Sequence, residues 1–262
     1  MKRNGYGILA VLAIVAVTTT AAFATPAVNS AVFNLRVWND CFTSTLTTNN
    51  NYPAEIWIDD DGDCTSGWAN LHNWHFSEDG VTDAKFMNGD SFRFSATLTI
   101  TGTGNAEAGL QLSPWWSTDV DGRLNVRSTD GEIACFGGRL PFYSFTVNHG
   151  LSYVKGDPIW LEIVYEANSN TMADPATITY NVEYPIGTPY SSGPLPFDEG
   201  NPNEPYGTWG CLDDAEAGGH AQMFLGDTSL QVRATWDGIS FEDLTPTSTE
   251  SNSWGGVKTL FR

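Results

Sequence analysis

FRFSATLTI, residues 92–100, alternates apolar and polar side chains over its whole length. Apolar residues from Phe92 to Ile100 occupy every second position, and Arg, Ser and Thr stand between them. Because successive side chains of a strand point to opposite faces, this period of two predicts a β-strand that buries one face only. Since parallel sheets are covered on both faces, a sheet with one buried face is antiparallel. The segment therefore predicts an antiparallel sheet.

Similar short runs, bounded by Gly, Pro, Asn and Asp, recur on both sides of this segment and predict further strands. They cover residues 31–38, 54–58, 91–101, 108–112, 133–136, 143–147, 158–165, 176–184 and 230–241. No helical period is visible between residues 30 and 244, so no crossover helices are expected. The fold class is therefore all-β, as two stacked antiparallel sheets or a barrel. Residues 185–205 are rich in proline and predict a long irregular loop.

Composition and charge exclude several classes of protein. The chain has 262 residues, 41% of them hydrophobic and 13% aromatic, which is enough for a sizeable core and excludes disorder. Lys and Arg number 12 against 31 Asp and Glu, so the formal net charge is -19. Because nucleic acids and anionic membrane surfaces are bound through basic patches, neither is an expected partner.

The first 24 residues have the pattern of a secretory signal peptide. Lys2 and Arg3 form a positive start, residues 8–17 are apolar, and Ala22-Phe23-Ala24 offers the small residues of a cleavage site. The apolar run is shorter than a bilayer span. We therefore expect an exported protein that is extracellular, on the cell surface or periplasmic, with no transmembrane segment in the mature chain.

The chain from residue 25 onwards divides into two parts. Residues 25–244 contain all the predicted strands and form the predicted β-sandwich domain. Residues 245–262 begin as a polar linker and end in a short amphipathic tail, where apolar residues from Trp254 to Phe261 would share one helical face. Two interpretations of the tail stay open: a terminus that packs on the sandwich, or a tag that docks to a sorting or surface partner.

Four cysteines lie in the mature part of the chain: Cys41, Cys64, Cys135 and Cys211. An even number in an oxidising compartment predicts two disulfides, and three pairings are formally open. We favour Cys41 with Cys64, since both flank one hairpin-like unit, which leaves Cys135 with Cys211. A zinc site is not favoured, because the sequence has no Cys-x-x-Cys pair.

The order of the strands at residues 159–165, 176–182 and 230–241 resembles the concanavalin A-like lectin and glucanase superfamily. The resemblance covers about residues 30–244 and concerns the pattern of strands, without a diagnostic motif. It implies a jelly-roll sandwich whose concave sheet holds sugar chains. Members of that superfamily are either carbohydrate-binding modules or glycan-cleaving enzymes, and the resemblance leaves this choice open.

A glycosidase active site would need two close carboxyl groups. The superfamily's enzymes carry Glu-x-Asp-x-Glu on one strand, and the nearest match here is Glu55-Ile56-Trp57-Ile58-Asp59, in which Trp57 replaces the central Asp. Glu55 and Asp59 would lie about 13 Å apart on a regular strand, too far for the pair that a retaining glycosidase needs. Hydrolysis by Glu55 and Asp59 is kept as an alternative. The Arg-rich, Gln-x-His and Tyr-rich motifs of alginate-lyase-like sandwiches are not found.

Calcium is the cofactor that the sequence favours. Asp59, Asp61 and Asp63 belong to the run DDDGD at residues 59–63, where crowded carboxylates repel one another unless they are solvated or bridged by a hard cation. A solvated acidic turn is the commoner explanation for such a run. His72 and His75 are metal-ligand candidates without a third ligand nearby in the sequence.

Exposed aromatic residues indicate carbohydrate binding. Trp115 and Trp116 follow a predicted strand and precede polar residues, so at least one is expected at the surface. Trp209, close to Tyr206 at the end of the proline-rich loop, is a second candidate platform for a sugar ring. The alternative is that these rings close the end of the sandwich. Trp38, Trp160 and Trp236 are expected to pack in the core.

The leading hypothesis is therefore an exported, lectin-like β-sandwich that binds a polysaccharide or glycan without cleaving it. A glucanase-like glycoside hydrolase and a structural or cell-surface protein are the alternatives.

Overall fold

The computed structural model describes residues 25–62, 64, 69–113, 122–198, 200, 207–225 and 230–246. Over these residues the chain forms two antiparallel β-sheets that pack face to face. The predicted all-β fold with two stacked antiparallel sheets is thereby confirmed, and the strand arrangement is that of a jelly roll.

Strands are numbered along the chain. The first sheet, sheet A, has the spatial order β1 (Ser30–Asn39), β4 (Asn70–Ser77), β14 (Glu216–Phe224), β6 (Asn105–Ser113), β7 (Gly122–Arg127), β8 (Ile133–Phe136) and β9 (Tyr143–Ser144). The second, sheet B, has the order β12 (Pro189–Ser191), β11 (Thr177–Glu183), β10 (Ile159–Glu166), β5 (Phe92–Gly102), β15 (Leu230–Asp243), β3 (Glu55–Gly62) and β2 (Thr45–Asn51), and β13 (Leu195–Pro196) also pairs with β11.

Strand β5 has the burial pattern that its alternating sequence predicts. Its apolar residues from Phe92 to Ile100 are buried against sheet A, whereas Arg93 is exposed and Thr97 and Thr99 are half-buried on the outer side. β5 lies between β10 and β15, where both edges of its backbone are hydrogen-bonded. The strand is therefore a central member of sheet B.

Aromatic rings fill the space between the sheets. Trp74 of β4 meets Trp236 of β15 edge to face, with ring centroids 6.0 Å apart, and Phe76 meets Phe94 in the same way at 5.5 Å. The indole Nε1 of Trp236 donates a hydrogen bond to the Gly109 carbonyl oxygen across the core, at 3.0 Å. These contacts fasten sheet B to sheet A through buried side chains.

Two of the three tryptophans expected in the core lie elsewhere. Trp236 is fully buried as predicted, but Trp38 is 39% exposed and Trp160 is half-buried on the outer side of sheet B. Trp38 lies next to an irregularity in the pairing of β1 with β4, which changes the register after Asn34. The alternation of inward and outward side chains, from which Trp38 was expected in the core, is therefore broken before Trp38.

Two expectations about local structure are wrong. Residues 143–147 were expected to be a strand, but β9 ends at Ser144 and a one-turn helix, α1 (Phe145–His149), follows. The Ser144 hydroxyl caps this helix by accepting from the Val147 amide, and Gly150 ends it with φ 69°. The proline-rich segment at residues 185–205 is also not wholly irregular, since β12 and β13 lie within it and pair with β11.

One of the two predicted disulfides is present. Cys41 is bonded to Cys64, as favoured from their spacing. The second predicted pair is wrong: Cys135 and Cys211 are buried free thiols. Cys135 lies on β8 in sheet A, whereas the Cys211 amide donates to the hydroxyl of Tyr165 on β10 in sheet B. Burial raises the pKa of both thiols, that of Cys211 to about 12, so both are protonated at neutral pH.

The two ends of the predicted domain meet. The Thr25 hydroxyl contacts the Asp90 carboxylate at 3.1 Å and the Thr245 hydroxyl at 2.9 Å. The predicted signal peptide, residues 1–24, and the tail from residue 247 onwards lie outside the described residues. Among the residues described, no helix has the length and apolar character needed to cross a membrane.

Candidate functional site

The face of sheet A that points away from sheet B is lined by polar side chains. On β4, β6, β7 and β14 the inward positions are mostly apolar, as with Trp74 and Leu110, and the positions between them point outward. We call the outward set the polar face. Its members are Asn73, His75, Glu107, Gln111, Arg123, Asn125, His220 and Gln222.

Strand register arranges these side chains in rows across the sheet. His75, Gln111 and Arg123 lie in one row, with Gly218 between the first two. The next row holds Asn73, His220 and Asn125. Four strands therefore contribute hydrogen-bonding groups to one continuous face of the sheet, and the side chains of both rows are buried.

Direct contacts join neighbouring strands of the polar face. His220 Nε2 lies 2.9 Å from Asn125 Oδ1, and Arg123 Nη1 donates to Gln222 Oε1 at 3.1 Å. A third contact brings His75 Nε2 within 2.5 Å of the Gln111 side-chain nitrogen. Because the partners come from different strands, these contacts fix the side chains relative to one another.

Several buried polar atoms of this face have no hydrogen-bond partner within the described part of the chain. They are Gln111 Oε1, His220 Nδ1 and, at the end of β6, Ser113 Oγ. An unpartnered buried polar group costs about 1–3 kcal/mol, so folded proteins pair nearly all of them with protein or with bound molecules. The polar face therefore has unused capacity to bind a polar ligand.

His220 is held neutral on this face. Burial lowers its pKa well below 6.5, and the nearby charge of Arg123 lowers it further. A neutral imidazole offers one donor and one acceptor, and Asn125 Oδ1 takes up the donor at Nε2. The ring thus contributes to hydrogen bonding on this face without adding charge.

We expect the pH dependence of stability to report this neutral histidine. Because the folded-state pKa is depressed, the stabilisation is complete above the unfolded pKa of about 6.5 and is lost as the pH falls from there towards the folded pKa. The loss for one proton is at most about 1.4 kcal/mol per pH unit. Urea unfolding between about pH 7.5 and pH 5.5 should therefore show a smaller loss of stability in His220→Gln than in the wild type. His149→Gln, at an exposed histidine away from the polar face, is the matched control for the substitution itself.

An open groove runs along the β1 edge of the polar face. Its volume is about 450 Å³, and Val32, Asn34, Asp83 and Lys85 are among the residues that line it. Asp83 also reaches the buried His75, with Oδ1 3.2 Å from Nδ1. The contact with His75 lowers the pKa of Asp83 against the opposing effect of burial, and the charge of Lys85 contributes. The groove therefore gives solvent access to Asp83, next to His75.

A second carboxylate, that of Glu216, also approaches His75. Glu216, the first residue of β14, places Oε2 3.4 Å from His75 Nδ1, and Lys85 pairs with its other oxygen, Oε1. The ligand atoms of His75, Asp83 and Glu216 all lie within 4.8 Å of one another. The sequence analysis missed Asp83 and Glu216 because residues 75, 83 and 216 meet only through the pairing of β4 with β14.

His72 and His75 do not converge on one site. Three positions apart on a strand, they point to opposite faces of β4. His72 turns into the sandwich, where Nε2 lies 3.1 Å from Asp60 Oδ2 and Nδ1 accepts from the Arg36 amide. Their sequence spacing would bring them together only on a helix.

The predicted aromatic platforms lie mostly outside the described residues. This holds for Trp115, Trp116 and Tyr206. The segment with both tryptophans, residues 114–121, connects the end of β6 to the start of β7, between Ser113 and Arg123. Trp209 is described and half-buried, and its backbone pairs with Asn170 and Ala176 at the β10–β11 end of the sandwich.

The predicted calcium ligands differ in their surroundings. Asp59 accepts from Arg233 Nε and from Gln231 Nε2, each at 2.7 Å, and so has a positive partner from the protein. Asp61 is exposed, and Asp63 lies outside the described residues. The remaining carboxylate of the run, Asp60, is fully buried. Repulsion among these carboxylates is thus reduced by protein contacts.

The two carboxylates of the alternative catalytic pair do not come close together on their strand. Glu55 and Asp59 lie on β3, which pairs with β15 in unbroken register from Asp59 opposite Arg233 to Glu55 opposite Asp237. A regular strand keeps residues four apart at about 13 Å. The ion pair of Asp59 with Arg233 also removes it from the role of a free carboxylate.

Comparison with known proteins gives structural matches of low sequence identity. No protein-family model matches the sequence, and no curated protein matches it. Among solved structures, a family 7 alginate lyase, A1-II', in complex with substrate is 10% identical, with a TM-score of 0.45, over 76% of this chain and 82% of that one. The Lotus tetragonolobus seed lectin is 11% identical, with a TM-score of 0.41, over 83% of this chain and 95% of that one. The exoplasmic domain of VIP36, in a Ca²⁺/Man3GlcNAc-bound form, is 9% identical, with a TM-score of 0.37, over 80% of this chain and 87% of that one.

These likenesses concern the arrangement of strands alone. The class of the protein is a two-sheet antiparallel jelly-roll sandwich, which is the architecture that the sequence predicted.

Proposed function

We propose that the protein binds a carbohydrate on the polar face of sheet A and does not cleave it. The observation that carries this proposal is the set of polar side chains that β4, β6, β7 and β14 place on one face of sheet A, where Ser113 Oγ and His220 Nδ1 have no hydrogen-bond partner among the described residues. Sugars present many hydroxyl groups, each a donor and an acceptor, and are held by amide, imidazole and guanidinium groups of this kind. Arg123 and Asn125 extend the same surface on β7.

Aromatic rings would supply the apolar half of such a site. In this proposal Trp115 and Trp116 stack on sugar rings, since the segment that carries them joins the two strands bearing Gln111 and Arg123. Trp209 and Tyr206 form a second platform near the β10–β11 end of the sandwich.

The proposed setting is outside the cytoplasm. A signal peptide at residues 1–24 would direct export, and the Cys41–Cys64 disulfide fits an oxidising compartment. Calcium bound by Asp59, Asp61 and Asp63, and a docking role for the tail at residues 245–262, are finer parts of the same proposal, each with its own test by ion removal or truncation.

Hydrolysis is the second candidate function, favoured by one observation. The carboxylate oxygens of Asp83 and Glu216 lie within 4.8 Å of each other, near the separation of about 5–5.5 Å typical of retaining glycosidases. Such an enzyme needs one protonated carboxyl as its acid. The contact with His75 lowers the pKa of Asp83, which makes Asp83 a poor choice for that acid, and Lys85 is paired with Glu216. Binding without cleavage is therefore the better-supported function.

A glycan-array screen of the secreted chain, with and without calcium, tests the proposal. Retained glycan and newly released reducing ends are measured together. We expect retention without release, and loss of retention in the variant Trp115→Ala/Trp116→Ala. Released ends that disappear in Asp83→Asn would establish hydrolysis instead, and no retention on any glycan would favour a structural protein.

A further inference from the structure

We propose that His75, Asp83 and Glu216 bind a divalent transition-metal ion at the edge of the polar face. The site does not depend on the proposed carbohydrate binding. Its three ligand atoms, one imidazole nitrogen and two carboxylate oxygens, come from β4, the turn after it and the start of β14.

The distances between the ligand atoms fit one ion. Asp83 Oδ1 and Glu216 Oε2 lie 3.2 and 3.4 Å from His75 Nδ1. Bonds of about 2.0–2.2 Å in tetrahedral geometry place neighbouring ligand atoms about 3.4 Å apart. An ion between the three groups would therefore need only small movements of the side chains.

The buried imidazole supplies an independent indication of a ligand. His75 is 1% exposed, and Nδ1 has no hydrogen-bond partner of good geometry among the described residues, although it points at both carboxylates. Two negative oxygens and a nitrogen thus converge at a place where a cation would satisfy all three.

Gln111 can set the imidazole in the form that a metal requires. The orientation of a glutamine amide is assigned from its hydrogen bonds, and here the carbonyl oxygen is the atom without a partner. With the amide turned, Oε1 accepts a hydrogen bond from His75 Nε2–H. Nδ1 then carries the lone pair that faces Asp83 and Glu216, and a hydrogen bond to the far nitrogen is usual for metal-binding histidines.

Lys85 does not block the proposed metal site. It pairs with Glu216 Oε1, whereas Oε2 faces His75, so the two oxygens of one carboxylate can serve the two cations. Asp83 also lines the open groove, so an ion can enter from solvent and keep positions for water. One nitrogen and two oxygen ligands favour Zn²⁺ or Mn²⁺ over Ca²⁺, which prefers oxygen ligands throughout.

The proposed site is tested by measuring metal binding to the secreted chain after a chelator has removed any bound metal. Mn²⁺ is followed by the spin-resonance signal of the free ion, and Zn²⁺ by competition with a coloured chelator. We expect one ion per chain, with affinity reduced at least about tenfold in Asp83→Asn and abolished in Asp83→Asn/Glu216→Gln. Both replacements preserve side-chain shape, and circular dichroism verifies the fold.

Two further variants separate this site from others on the chain. Glu107→Gln removes a carboxylate of the same face that pairs with Arg127, and it should bind the ion as the wild type does. Gln111→Leu should weaken binding about tenfold or more, because it removes the hydrogen bond that orients His75. Absence of Mn²⁺ and Zn²⁺ binding, or equal binding by the double variant, would overturn the proposal, whatever the glycan screen returns.

Discussion

Replacing Trp236 with alanine is expected to lower the free energy of unfolding by about 3–5 kcal/mol, the typical loss for a large aromatic residue removed from a core. Trp236 is fully buried between the sheets, meets Trp74 edge to face, and donates to the Gly109 carbonyl oxygen. Alanine would leave a cavity there and remove the hydrogen bond to Gly109. Urea unfolding followed by tryptophan fluorescence and circular dichroism measures the loss.

Trp160→Ala is the matched control for this prediction. Trp160 is half-buried on the outer side of sheet B, so its removal creates no enclosed cavity and should reduce stability by less than half as much. Similar losses in the two variants would contradict the position of Trp236 between the sheets.

Asp60→Ala is expected to destabilise the fold by a similar amount, about 3–5 kcal/mol, since removing the buried carboxylate leaves its hydrogen-bond partners unsatisfied. The Asp60 carboxylate is fully buried and accepts from Asn70 Nδ2 at 2.7 Å, with His72 Nε2 at 3.1 Å. The exposed neighbour Asp61 gives the control, and Asp61→Ala should change stability by no more than about 0.5 kcal/mol. Equal effects at the two positions would show that Asp60 does not hold β3 to β4.

The same carboxylate should contribute to acid unfolding. Burial acts to raise the pKa of Asp60, but hydrogen bonds with His72, Ser44 and Asn70 outweigh it and lower the pKa below 3.8. The stabilisation is therefore present above the unfolded pKa of about 3.9 and is lost as the pH falls through the lower folded pKa. Acid titration of Asp60→Asn should show a shallower loss of stability below about pH 4 than the wild type.

The strands β5 and β6 could be predicted from the sequence, whereas β4 and β14, which also carry candidate site residues, could not. β5 alternates because its outer side faces water. All eight residues of β4 are buried, so polar and apolar residues follow one another without a period of two. β14 is interrupted by Gly218 and Gly219, and a side chain at Gly219 would run into the indole of Trp74. Because both strands are closely packed, neither shows the alternation of apolar and polar residues that predicts a strand.

The candidate site was harder to predict, because its residues meet only after folding. His75 was recognised as a metal-ligand candidate, but Asp83 and Glu216 come from separate parts of the chain. Gln111 and Arg123 each stand alone among apolar neighbours on their strands, where a single polar residue is commonly a solvated one. One useful signal was Gln111 in the run AGLQLS, since a lone amide in an apolar strand has to find a partner.

The measurement that tests the central claim most directly is a calorimetric titration of the best-retained oligosaccharide against two matched double variants. Asn125→Ala/Gln222→Ala alters the polar face of sheet A, and Thr99→Ala/Asn181→Ala alters the outer face of sheet B by the same number of residues. We predict that the first variant loses affinity by about tenfold or more, as expected for two lost hydrogen bonds, and that the second binds as the wild type does. Unchanged affinity in the first variant, or an equal loss in both, would contradict binding on the polar face.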